Sequence, residues 1–76
     1  MNGLNKYTVM KDDQIWIVRD HSRNLNLAST SMKEGAVHFA KSLAHRHRPC
    51  RVEIYHANGI FEDEYNFGLI PFPDEG

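Results

Sequence analysis

Residues 31–50 read SMKEGAVHFAKSLAHRHRPC, and how this stretch folds decides the architecture of the 76-residue chain. Ser31 followed three positions later by Glu34 fits a capping box, in which the serine oxygen accepts from a first-turn N–H and the carboxylate reaches back. Met32, Ala36, Phe39, Ala40, Leu43 and Ala44 then recur at spacings of three and four, which lays one apolar stripe along a helix. Pro49 disfavours helical geometry in the residue before it, so the spacing predicts a helix over 31–47. Gly35 in its first turn lowers helix propensity by roughly 1 kcal/mol relative to alanine.

On the N-terminal side, Lys6–Met10 alternates, Lys11-Asp12-Asp13-Gln14 is polar, and Ile15-Trp16-Ile17-Val18 is β-branched and aromatic, which together predict a hairpin over 6–19. Residues 20–30 carry no period and read as a loop, with at most a short extended piece at Leu25-Asn26-Leu27. On the C-terminal side, Arg51–His56 alternates and Asn58-Gly59 suits a two-residue type I′ turn. The resulting hairpin, 51–65, sets Val52 opposite Tyr65, Ile54 opposite Asp63 and His56 opposite Phe61 on one face. Pro71 and Pro73 exclude a central strand and suggest an extended Pro-Phe-Pro tail over 66–76. The expected fold is a single α+β domain of order β-β-α-β-β, a four-stranded antiparallel sheet with one helix on one face.

This order, with Trp16 and Val18, Glu34-Gly35-Ala36, Ala40-Lys41-Ser42-Leu43-Ala44, the Asn58-Gly59 turn and Phe67-Gly68 leading to Pro71-Phe72-Pro73, resembles a family of short bacterial proteins, domain-of-unknown-function family 2188. The resemblance spans nearly the whole chain. It implies the same fold and carries no activity. Gly35 stands where such sequences favour a helix former, and Leu69-Ile70 where they favour polar residues.

Composition bounds the function. Apolar residues make up 41% and charged residues 25%, the balance of an ordinary folded domain. Nine Lys and Arg against ten Asp and Glu give a net charge of -1, so no global field draws the chain to a polyanion. A single cysteine makes no internal disulfide, and no basic segment leads into an apolar run. The expectation is a cytoplasmic protein without signal peptide or membrane span.

Chemistry concentrates in HRHRPCR, residues 45–51. His45, His47 and Cys50, with His56, are metal-ligand types, but two histidines two apart on a helix point in different directions, so neither a metal nor another cofactor is expected. Cationic residues in a last helical turn already have a role facing its free carbonyls. Cys50 with His47 or His56 is the one pair with catalytic chemistry. It lacks a third orienting group, and a small cysteine at a strand start reads as core, so no enzymatic activity is expected. Arg46, Arg48 and Arg51, with Lys41 and Arg23, form an alternative strip for nucleic acid, with Tyr55 or Trp16 as stacking rings. Glu62-Asp63-Glu64 on the adjacent strand opposes it.

The stronger signal is geometric. Trp16 and Val18 lie on one face of their strand, Ile15 and Ile17 on the other, and one helix covers only one face of a sheet. Ile15 and Ile17, with Tyr55 and Phe72, are therefore the expected protein interface, to a partner or to a second copy. The functional expectation is a small non-enzymatic protein-binding module, of the kind found among accessory proteins and among phage or mobile-element inhibitors of host complexes.

Overall fold

The computed structural model describes residues 5–68. Five strands and one helix follow in the order β1 (Asn5–Asp12), β2 (Ile15–Asp20), β3 (Leu25–Thr30), α1 (Lys33–Arg46), β4 (Cys50–Tyr55) and β5 (Phe61–Phe67). The strands form one sheet in the order β3-β2-β1-β4-β5. Its class is the α+β expected, but it has five strands and is mixed, because β1 runs parallel to β4.

Two expectations are corrected together. Residues 25–30, expected within a loop that carries a short extended piece at Leu25-Asn26-Leu27, are an antiparallel edge strand on β2. That strand adds one traverse of the sheet before the helix, and the added traverse reverses the direction in which β4 enters. A β-β-α-β-β chain would bring its third strand in antiparallel to β1. The extra strand makes the pair parallel. Along β3 the register shifts opposite Val18 and Arg19 and the half-buried residues, Leu27 and Ala28, are consecutive, so its sequence shows no alternation.

The helix buries a row of alanines, Ala36, Ala40 and Ala44, each with no exposure. Residues four apart share a face, and three methyl groups let the helix lie close on the sheet. There it meets Tyr7, Val9, Trp16, Val18, Cys50, Val52 and Ile54, with Val37 and Leu43 packed at the margin. Met32 and Phe39, expected in the stripe, are exposed: Met32 is the N-cap, its backbone extended and not helical, and Phe39 falls outside the alanine row. The capping box does not form. The helix starts two residues later than expected, at Lys33, its N-cap Met32 makes no side-chain cap bond, and the Thr30 hydroxyl instead donates to the Met32 carbonyl at 2.6 Å. β3 runs up to Thr30, which leaves Ser31 one position too early to cap.

In the second hairpin, Val52 opposes Tyr65 and Ile54 opposes Asp63 as predicted, but Tyr55 replaces His56 opposite Phe61. The loop has three residues, not two. The Gly59 N–H donates to the His56 carbonyl at 2.9 Å, and the His56 N–H to the Ile60 carbonyl at 2.8 Å. This loop needs only one positive φ, supplied by Gly59 at +90°. Asn58 keeps its side chain to accept the Ile60 N–H. A bulge at Glu62 absorbs the odd residue. β5 continues to Phe67, so residues 66 and 67 belong to the sheet and not to a tail. Pro71 to Pro73 lie outside the described residues. Among the described residues no helix is long and apolar enough to cross a membrane.

Candidate binding face

Because α1 occupies one side of the sheet, the alternation of each strand sends the other half of its side chains to an uncovered side. From β1 these are Lys6, Thr8 and Met10; from β2, Ile15, Ile17 and Arg19; from β4, Arg51, Glu53 and Tyr55. The register aligns them in rows across the strands. Ile17 faces Met10 in one row, while Arg19, Thr8 and Glu53 share the next. Phe61 joins the apolar part from β5, its ring edge-on to Tyr55 with centroids 5.8 Å apart.

An open concavity of about 680 Å³ lies over this face, lined among others by Lys6, Thr8, Met10, Ile17, Arg19 and Tyr55. Its lining mixes Ile17 and Thr8, both nearly unexposed, with Met10, Tyr55 and the charged Lys6, Arg19 and Glu53. Ile15 is 40% exposed, whereas Ile17, in the middle of the row, is only 6% exposed. Ile15 and Tyr55 are thus the accessible members of the expected set, and Ile17, on the same face, is already covered. Phe72, the fourth, lies outside the described residues.

Most charges on the face are matched. Lys6 pairs with Glu53 at 3.3 Å, and Arg51 lies 3.9 Å from Glu64 and donates to Asn66. The Tyr55 hydroxyl donates to Glu53 at 3.3 Å. Desolvation first, then the Glu53 carboxylate, raises the Tyr55 phenol above its ordinary pKa. Arg19 differs: its guanidinium donates to the side-chain carbonyls of Asn26, at 2.6 Å, and Asn24. The periodicity of 15–18 pointed to the isoleucines. It did not reach Met10, Phe61 or Arg19, whose positions depend on cross-strand register and on the turn after β2.

The nucleic-acid strip does not assemble as one surface. Arg51 is on the open face, while Lys41 is on the helix side, 3.7 Å above the Tyr65 ring. Arg23 is held at the β2–β3 turn by Asp20, and Arg48 donates to the His45 carbonyl at the helix end. Trp16 is buried beneath the helix with Lys33 over its ring, so it offers no stacking surface.

The metal-ligand types are also apart. Cys50 is buried, the His45 ring lies 5.6 Å from that of Phe67, His47 is the C-cap, and His56 follows the far end of β4. Among the described residues no three His, Cys, Asp or Glu side chains group as metal ligands. The basic stretch serves the helix terminus, where Asn5 also donates to the His47 carbonyl at 2.9 Å.

No family model matches the chain, and no curated protein or solved structure does. The family resemblance drawn from the sequence rests on the residues quoted for it.

Proposed function

We propose that the chain is a cytoplasmic, non-enzymatic protein-binding module that acts through the open face of its sheet. The carrying observation is that Ile15, Tyr55, Met10, Ile17 and Phe61 share the side of the sheet opposite α1. Aromatic and methionine side chains set among polar ones suit a protein interface. An accessory role, or inhibition of a host complex from a phage or mobile element, fits a module of this size. The state of Cys50 supports the non-enzymatic part, because its thiol is buried and pushed up to about 11, far from a poised nucleophile. Nucleic-acid binding is the weaker reading, as its basic residues are split between two sides of the sheet.

The test is capture of partners from nuclease-treated host extract by the wild type and by an Ile15→Lys, Tyr55→Ser variant. The module reading expects a stoichiometric protein partner that the variant loses while staying folded. Retention by the variant moves the interface elsewhere. Tight, salt-sensitive retention of the wild type on single-stranded DNA or RNA, lost in an Arg46, Arg48, Arg51 triple alanine variant, replaces the reading with the nucleic-acid one.

A further inference from the structure

We infer that the open face recognises a partner segment carrying a carboxylate beside a bulky apolar residue, and that Arg19 receives the carboxylate. The inference rests on the protein-binding reading of that face and adds the chemistry of what is bound.

Arg19 is placed for this in three ways. It is half-buried in the row next to Ile17 and Met10, so an anion on its guanidinium leaves a neighbouring side chain over those two. It is held in position, since Asn24 and Asn26 each accept one of its N–H groups. A guanidinium has five N–H donors, so the remaining three are free for a forked contact. Finally, no carboxylate among the described residues lies within ion-pair distance of it, whereas Lys6 and Arg51 have Glu53 and Glu64. The concavity holds three cations, Lys6, Lys11 and Arg19, against two carboxylates, Asp12 and Glu53, an excess of one positive charge. One excess charge complements one carboxylate. It is too little for a phosphate backbone, which takes several neutralising contacts and would meet Glu53 and Glu64 on the same face.

Asn24 reaches Arg19 because of the β2–β3 turn. Its φ of +57° is a conformation asparagine tolerates better than most residues, and Asp20 closes the same turn by accepting the Arg23 N–H at 3.2 Å. The turn therefore does more than join two strands: it orients the cation.

The experiment titrates the folded protein with three pools of blocked heptapeptides. Each pool has random apolar residues at three central positions and Glu, Gln or Lys at the adjoining one. Backbone amide shifts in NMR report both affinity and the face occupied. The Glu pool is expected to bind about fivefold tighter than the Gln pool, with the Lys pool weakest, as for one charge-assisted contact at a half-exposed site. Arg19→Gln should bring the Glu and Gln pools together by removing the advantage of the Glu pool. Arg19→Lys should fall between, since it keeps charge and loses the fork; dispersed amide spectra establish that both variants fold.

Glu and Gln pools binding the face equally to the wild type sinks the carboxylate inference and leaves the protein-binding reading standing. No pool perturbing the face sinks both. A short oligothymidylate that binds it more tightly than any pool, or self-association through it that excludes the peptides, also overturns the assignment.

Discussion

Cys50 opens β4 without exposure, and its environment settles what the only thiol can do. Desolvation, and after it the charge of Asp20, raises its pKa to about 11, against the ordinary value of 9.0. At pH 8 that difference leaves about a hundredfold less thiolate than in the unfolded chain. Iodoacetamide should accordingly label the native protein at least that much more slowly than the denatured one, measured by mass spectrometry. Rapid native labelling would contradict the buried assignment. The same shift makes stability pH-dependent. Because the folded pKa is raised, the folded state holds the proton longer, so stability is complete below about 9 and is lost as pH rises toward 11, by on the order of 2 kcal/mol. Tyr7, raised chiefly by burial and next by Cys50, acts in the same sense. Thermal midpoints between pH 8 and 10.5 should fall more steeply in the wild type than in Cys50→Ala. The thiol's core role was legible in the sequence, since a small residue beginning an alternating strand is most simply buried. The Arg19 arrangement was not, because it depends on a positive φ at Asn24 and on a register shift that no local pattern announces.

At the scale of the element, the helix shows which sequence signals survive folding. Its apolar period was legible because Ala36, Ala40 and Ala44 repeat at the helical spacing. Its start was not, because the chain arrives from a strand that composition concealed, and the serine of the expected capping box lies upstream of the cap. Gly35 gives a clean test of the remaining local energetics. A methyl group there would meet Thr30 at 3.6 Å, ordinary van der Waals contact. Gly35→Ala should therefore raise stability by about 0.5–1 kcal/mol, read from urea denaturation at constant slope. Gly68 should behave oppositely. Its φ is +75°, and an added Cβ would lie 2.8 Å from the Cβ of Arg48. Gly68→Ala is expected to destabilise by more than about 1 kcal/mol, through backbone strain and displacement of the helix-terminal loop. Equal effects at the two glycines would show that neither backbone geometry nor local space decides the outcome.

For the molecule as a whole, hairpins were legible because they are local, whereas the way they join was not. Antiparallel pairing within 6–19 and within 51–65 follows from alternation and a turn. The parallel contact of β1 with β4 depends on how many times the chain traverses the sheet before returning, and a single unrecognised edge strand reverses that answer. The two-faced character of β2 did not depend on this count, so the sidedness of Ile15 and Ile17 was readable even though the topology was not. Their sidedness is shared, but their energetics differ. Ile15, 40% exposed, can contribute to an interface without holding the fold, while Ile17, 6% exposed, is already covered by its neighbours. Full burial of such a side chain is worth roughly 1.5–3 kcal/mol, so Ile15 has part of that still to gain in a complex and Ile17 almost none. Ile15→Lys with Tyr55→Ser should leave the thermal midpoint of the monomer within a few degrees of the wild type and abolish association. Ile17→Glu should unfold the domain or lower its midpoint sharply, because an unpaired carboxylate in the middle of the face costs several kcal/mol against the modest stability of a chain this small. Circular dichroism melts and sedimentation on the two variants decide the matter. A folded, stable Ile17→Glu protein would mean that the face is open to water at its centre, and a double variant that unfolds would mean that Ile15 and Tyr55 belong to the core.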